Sequence, residues 1–83
     1  MKNNWLMIEK IIKKKCTSDG TIIMCKLKNT VNMIVILVLD SDENLIDSVS
    51  NCYTESCKKD IMKVANKEYN KRKDMLLKHN YII

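Results

Sequence analysis

Proline and phenylalanine are absent from this chain of 83 residues, and glycine and histidine occur once each. Loops that cradle the phosphates of a nucleotide need several glycines, so one glycine excludes nucleotide-hydrolysing chemistry of that type. Catalysis by a cysteine paired with a histidine needs a thiol beside the imidazole and a third, orienting group. The sequence around His79 suggests no such set, and this residue is interpreted as part of a helix C-terminus. We expect no enzymatic activity.

Long apolar runs are also missing. The longest, MIVILVL from Met33 to Leu39, is far shorter than the roughly 18 residues that a membrane-spanning helix needs. Near the N-terminus, the apolar residues from Trp5 to Ile8 are interrupted by Glu9 and Lys10, and no small-residue cleavage site follows. The sequence therefore predicts no membrane partner, no signal peptide and a cytoplasmic location.

The four cysteines do not have the short spacing of structural zinc ligands. Because no secretory signal is present, free thiols are expected. Cys25 and Cys57 are predicted to pack in the core as small apolar residues, and a disulfide between Cys52 and Cys57 is the alternative.

The acidic stretch DSDEN from Asp40 to Asn44 resembles the opening of a calcium-binding loop. Leu45 and Asn51 stand where such a loop has its glycine and its bidentate glutamate. These residues also hydrogen-bond readily to their own backbone, so we interpret the stretch as a solvated hairpin loop. We expect neither a metal nor a cofactor.

The composition predicts one folded domain over residues 1–83. Apolar residues make up 46% and charged residues 30% of the chain, which is an ordinary balance for a globular protein. The abundance of Lys, Asn and Ile is typical of AT-rich genomes, so coding bias accounts for part of the lysine excess. The net charge of +5 still favours an anionic partner.

A helix is predicted at the N-terminus, with Asn4 as its cap and its end near Lys15. Its apolar residues recur at helical spacing, and its charged residues fall on the other side. The apolar set is Trp5, Ile8, Ile11 and Ile12. A turn at Thr17–Gly20 follows, because Gly20 takes positive φ without strain.

Three strands are predicted next, over Thr21–Lys28, Val31–Leu39 and Leu45–Ser50. The middle one is apolar at both alternating sets of positions, which is typical of a strand buried on both faces. The third is half polar and suits an edge, where Asp47 would discourage the addition of a neighbouring strand.

A long helix is predicted from Cys57 to about Asn80, because no Pro or Gly interrupts this stretch. Its length is about 25 residues, or roughly 38 Å. Its middle contains only one apolar residue, Tyr69, so we expect weak anchoring there, and we expect Tyr81–Ile83 to dock on the body or on a neighbour. The predicted inner stripe is Cys57, Ile61, Val64, Ala65, Tyr69, Met75 and Leu76. The predicted fold is a two-layer α+β domain: a helix, a three-stranded antiparallel sheet and a long C-terminal helix.

Lys59, Lys63, Lys67 and Lys71 stand at i, i+4 spacing within this last helix. This spacing aligns four ammonium groups along one side, about 6 Å apart, where they repel one another unless an anion neutralises them. Nucleic-acid phosphates suit such a row, because their neutralisation releases counterions. The alternative is an ordinary solvated face, supported by helix pairs such as Glu68 with Arg72. The predicted nucleic-acid or partner-binding residues are Lys58, Lys59, Lys63, Lys67, Lys71 and Arg72.

The order of elements is similar to that of the double-stranded-RNA-binding domain, whose last helix begins with lysines. The stretch CKKDIMK from Cys57 to Lys63 occupies that place, and the resemblance implies phosphate contacts by Lys58, Lys59 and Lys63. The basic spacing is off by one residue, and KNTVN replaces the Gly-Pro-His loop of that family. The order, size and composition also resemble small phage and mobile-element accessory proteins, including some anti-CRISPR inhibitors.

The sequence thus predicts a small, basic, non-catalytic binding protein that presents a lysine-rich helix face to a nucleic acid or a nucleoprotein complex. The resemblance to anti-CRISPR inhibitors implies that the binding protein is a phage-encoded inhibitor of a host defence complex. An acidic protein surface is an alternative target. A different class is a self-associating interaction module without nucleic-acid contact, in which a second copy covers Tyr69 and Tyr81–Ile83 in a homodimer formed through the C-terminal helix.

Overall fold

The computed structural model of the protein describes residues 7–78. Within this range the strands are Ile8–Thr17 (β1), Gly20–Leu27 (β2), Met33–Asp40 (β3) and Leu45–Cys52 (β4). A 3-10 turn over Glu55–Cys57 leads into helix α1, Lys58–Leu77. The strands form one antiparallel sheet in the order β1-β2-β3-β4, and α1 packs on one of its faces. The α+β class and the C-terminal helix are confirmed, whereas the number of strands predicted was wrong.

The predicted N-terminal helix is strand β1, and irregular pairing explains the error. Register shifts lie between Ile8 and Lys10 and between Ile11 and Lys13. Because of the first shift, Ile8 and Ile11 pair with Leu27 and Cys25 and share one face, although they stand three positions apart. A bulged strand can therefore produce the apolar spacing of a helix.

Strands β2 and β3 form the centre of the sheet, and both are buried on both faces, as predicted for β3. On the face that carries α1, their buried side chains pack against Ala65, Tyr69 and Leu76 of the helix. On the opposite face, Ile23, Cys25, Val35, Leu37 and Leu39 form a second cluster, and all the described side chains that pack there come from strands.

The turn between β3 and β4 is organised by Asp40, which is 7% exposed. Its Oδ1 accepts hydrogen bonds from the backbone N–H groups of Asn44, at 2.8 Å, and Asp42, at 2.9 Å. The hydrogen bond from the Asn44 backbone is the main reason why the pKa of Asp40 is lowered. The predicted hairpin loop is confirmed, and its acidic residues include one that is committed to the turn itself.

The turn between β1 and β2 depends on Gly20, as predicted. Gly20 has a φ of +153°, and a Cβ atom at this position would collide with the backbone carbonyl oxygen of Leu39. Thr17 supports the turn, because its hydroxyl donates to the Gly20 carbonyl and accepts from the Asp19 N–H, both at 3.1 Å.

Helix α1 has 20 residues, and is therefore about 30 Å long rather than the predicted 38 Å. Its inner stripe contains Ala65, Tyr69 and Leu76, which are buried, whereas Val64 is 43% exposed. Tyr69 is only 5% exposed, so the expectation that the middle of the helix is weakly anchored was wrong. The predictions for Trp5, His79 and Tyr81–Ile83 lie outside the described residues.

All four cysteines fall within the described range, and none of them forms a disulfide. Cys25 is buried in the second cluster, and burial raises the pKa of its thiol to about 11. Cys57 is partly buried and packs against the core cluster beneath α1, and its Sγ also accepts hydrogen bonds from the backbone N–H and the hydroxyl of Thr54, each at 3.2 Å. These contacts lower the pKa of Cys57 and tie down the chain just before α1.

No helix within residues 7–78 combines the length and the apolar character needed to cross a membrane.

Candidate anion-binding surface

The four lysines that repeat along α1 all lie on its solvent-exposed surface. We call this set, Lys59, Lys63, Lys67 and Lys71, the lysine ladder. Since i,i+4 positions advance about 40° around the helix at each step, the ladder crosses the outer face of α1 obliquely. None of its ammonium groups forms a salt bridge with a carboxylate of residues 7–78. The predicted exposure of these residues is thus confirmed, and their role in binding stays a prediction.

Arg72 is set apart from the other predicted site residues. Its side chain is 15% exposed, and its Nε donates to Asp47 Oδ2 on β4 at 2.9 Å. A second salt bridge joins its Nη1 to Glu68 one turn earlier on α1. Burial opposes the charge on Arg72, but its bonds to Glu68 and Asp47 outweigh burial and raise its pKa. The guanidinium is therefore neutralised within the molecule and contributes little to an external anion site.

Strand β1 brings further lysines to the α1 side of the sheet, and sequence reasoning missed them because it placed them on a helix. Lys13 pairs with Met24, a core residue beneath α1, and therefore points toward the helix. Its Nζ donates to Asn66 Oδ1 at 2.6 Å and lies 5.3 Å from the centroid of the Tyr69 ring. We define the basic edge as Lys10, Lys13 and Lys15 of β1. The β-branched residues of this stretch were the signal for a strand.

The opposite edge of the sheet carries the opposite charge. Between residues 29 and 57 the chain has no Lys or Arg, and its acidic residues include the hairpin group from Asp40 to Glu43 and Asp47 on β4. The lysines of the basic edge and of the ladder therefore lie on β1 and α1, whereas the β3–β4 hairpin and β4 carry acidic residues and no basic ones.

A cavity of about 390 Å³ opens between β1, β2 and the start of α1. We call it the Tyr53 cavity, because the ring of this buried tyrosine forms one wall. The ammonium groups of Lys26 and Lys58 lie 5.9 Å and 5.8 Å from the centroid of that ring. Such distances are typical of cation–π contacts. The lining residues are Lys10, Ile11, Ile12, Lys26, Ile34, Tyr53, Lys58 and Met62.

The lining of the Tyr53 cavity is positive and otherwise mainly apolar. Lys10, Lys26 and Lys58 come from three different elements, and no acidic residue is among the described residues of the lining. None of the three ammonium groups is in a salt bridge with a carboxylate of the described chain. Of these lysines, sequence reasoning had selected only Lys58, since the others become neighbours only when the sheet forms.

No protein-family model matches the sequence, and neither a curated protein nor a solved structure matches it.

Proposed function

We propose that this protein is a non-catalytic binding protein that presents the lysine ladder to a nucleic acid or a nucleoprotein complex. One observation carries the proposal: the four ladder lysines are exposed and make no salt bridge with the described carboxylates, whereas the one arginine is neutralised internally. The implied role as a phage-encoded inhibitor of a defence complex stays a prediction.

Charge spacing favours a polyanion over a single small ion. Neighbouring ladder lysines are one helical turn apart, so a partner must supply several negative charges along about three turns of helix. A phosphodiester backbone does so and gains free energy from counterion release. Lysine binds such a backbone as a point charge without reading bases, so we expect binding with little sequence preference.

The ladder is accessible without any rearrangement of the core. Lys63 and Lys67 lie on the exposed surface of α1, whereas the buried stripe of Ala65, Tyr69 and Leu76 holds the helix on the sheet. Substitution of ladder lysines should therefore change binding and leave the fold intact. Asp60 and Asp74 are also exposed on α1 and will reduce the local positive potential, so binding should be of moderate affinity.

The experiment is fluorescence anisotropy with a short labelled DNA duplex and an RNA duplex of the same sequence, measured over a salt series. The triple variant Lys59→Gln, Lys63→Gln, Lys67→Gln should bind more weakly than wild type at every salt concentration. If all three lysines contact phosphates, the slope of log K against log salt should fall in magnitude by about 3.

A matched control places the same change of net charge elsewhere. The variant Ser41→Glu, Ser48→Glu, Ser50→Glu also lowers the net charge by three, but at exposed positions on β4 and on the turn before it. It should retain most of the binding. Equal loss in the two variants would show a general charge effect, and no loss in the ladder variant would refute the proposal.

Two features of the sequence favoured a self-associating module, Tyr69 and Tyr81–Ile83, and the structure removes the first. Tyr69, which a second copy was expected to cover, is buried beneath Lys13 and against the sheet of its own chain. The other support, Tyr81–Ile83, lies outside the described residues, so the homodimer stays a prediction.

A further inference from the structure

The Tyr53 cavity differs from the lysine ladder in shape as well as in position. The ladder is a row of charges on the outer surface of a helix, whereas the cavity is concave and is lined by both cationic and apolar side chains. Its volume of about 390 Å³ lies within the range of small-molecule sites, about 300–1,000 Å³. A site of this size encloses one small ligand or the end of a chain, and not a duplex.

The charges of the cavity specify an anion of more than one charge. Lys10, Lys26 and Lys58 contribute three cationic side chains to one lining in which residues 7–78 place no carboxylate. Lysine ammonium groups are common ligands of phosphate, which they bind as point charges. Because the three lysines belong to β1, β2 and α1, the folded sheet and helix together keep them at one site.

The neutral part of the lining specifies what the anion is attached to. Ile12 and Met62 are partly buried against the core cluster, and Ile11, which also lines the cavity, is 44% exposed. These side chains give the cavity an apolar surface against which a flat heterocycle can pack. The Tyr53 ring does not supply an open stacking face, since it is 7% exposed and two ammonium groups lie over it. The base would therefore contact aliphatic side chains and methionine.

We propose that the Tyr53 cavity is a binding site for one nucleoside phosphate, whose phosphate contacts Lys10, Lys26 and Lys58 and whose base packs on Ile11, Ile12 and Met62. The same chemistry is offered by a free mononucleotide and by the 5′-phosphorylated end of a nucleic-acid strand. The cavity shares helix α1 with the lysine ladder through Lys58 and Met62, but none of its described lining residues belongs to the ladder.

Isothermal titration calorimetry with adenosine 5′-monophosphate tests the proposal. The double variant Lys26→Gln, Lys58→Gln should bind at least tenfold more weakly than wild type, because each lost ammonium group removes a charge-assisted hydrogen bond. The matched variant Lys63→Gln, Lys67→Gln carries the same net charge and should bind as wild type does. Thermal unfolding monitored by circular dichroism confirms that both variants are folded.

A single substitution guards against a folding defect in the double variant. Lys10 is exposed on an edge strand, and Lys10→Gln should weaken binding severalfold without changing the melting temperature. Hexyl phosphate and adenosine separate the two halves of the ligand, and each should bind more weakly than the nucleotide. The proposal is overturned if the nucleotide does not bind, if hexyl phosphate binds as well, or if the two double variants bind it equally.

Competition identifies the source of the nucleotide. A 5′-phosphorylated oligonucleotide that displaces the mononucleotide, when its 5′-hydroxyl counterpart does not, assigns the site to a strand end. Failure of both to displace it assigns the site to free nucleotides, and both results support the cavity as a nucleoside phosphate site. A mononucleotide is too short to contact several ladder lysines. Its binding therefore tests the cavity alone, and duplex binding tests the ladder, so either proposal can fail while the other holds.

Discussion

Helix α1 is held against the two ends of the sheet by different chemistry. Toward β4, Arg72 bridges Asp47 and Glu68, so that two acids and one base are brought together. Toward β1, Lys13 meets the Asn66 amide and the Tyr69 ring, which are neutral groups. Both contacts hold the helix, but only the first neutralises charge.

This difference determines where positive charge remains available. At the β4 side, the guanidinium is bonded to carboxylates and is largely shielded from solvent. At the β1 side, Lys13 makes cation–π and amide contacts but no salt bridge with a carboxylate of residues 7–78, and it lies next to Lys10 and Lys15 of the basic edge. A protein with a moderate net charge of +5 can thereby present a strongly basic region.

The largest effect is expected from removal of the ring beneath Lys13. Tyr69→Ala should lower the free energy of unfolding by about 3–5 kcal/mol, as for other large aromatic residues removed from a core. Urea denaturation measures this change. Tyr69→Phe keeps the ring and its contact with Lys13 and should cost less than about 1 kcal/mol. If Tyr69→Ala lowered the free energy of unfolding by less than about 1 kcal/mol, this ring would not anchor the helix.

A smaller effect is expected on the β4 side. Arg72→Met should cost about 2 kcal/mol, because it removes the salt bridges from Arg72 to Asp47 and Glu68, and the partial exposure of the two carboxylates moderates the loss. Lys71→Met, on the exposed ladder next to it, is the control and should change the free energy by no more than about 0.5 kcal/mol. Equal costs would remove the distinction between the neutralised and the free cations of α1.

The acidic hairpin should make stability depend on pH. Because the folded-state pKa of Asp40 lies below its ordinary value of 3.8, its contribution is complete above that value and is lost as the pH falls through the lower folded-state pKa. The urea midpoint of wild type should therefore fall as the pH is lowered into this range. Asp40→Asn should lower stability at neutral pH and flatten this dependence. An unchanged acid profile in that variant would contradict the role of Asp40 in the turn.

The smallest effect is expected at the basic edge. Lys13→Met should cost about 0.5–1 kcal/mol, the value of an exposed cation–π contact. Lys15→Met, on the same strand and also exposed, should have less effect in the same urea experiment. If Lys13→Met cost as much as Arg72→Met, the contacts on the two sides of the helix would contribute equally to stability. The basic edge would then have a structural role and would not be available to bind a partner.

The central and C-terminal parts of the fold were accessible to sequence reasoning. The run from Met33 to Leu39 is apolar at every position, short and rich in β-branched residues, which favours a strand covered on both faces. Gly20 and Asp40 marked their turns because positive φ and side-chain capping are properties of single residues. For the same reason, the exposed ladder of α1 could be predicted from its spacing alone.

The N-terminal part was not accessible in this way. The spacing of Ile8 and Ile11 fits a helix, and a bulge in β1 produces the same spacing on one face of a strand. A bulge is defined by how a strand pairs with its neighbour, and the residues of one strand alone do not show this pairing. The misplacement of Lys10 and Lys13 followed from this single error, and with them the cavity was missed.

By itself, the sequence determined the amounts and the local order of charge: lysines at four successive turns of α1 from Lys59 to Lys71, no base from residue 29 to 57, and one arginine. Only the tertiary structure decided which of these charges remain free. It bonded Arg72 to Asp47 across 25 positions of chain and brought Lys10, Lys26 and Lys58 around one cavity. The physical reason is that charge compensation acts over a few ångströms in space, and these distances between remote residues are fixed only when the strands pair and the helix packs on them.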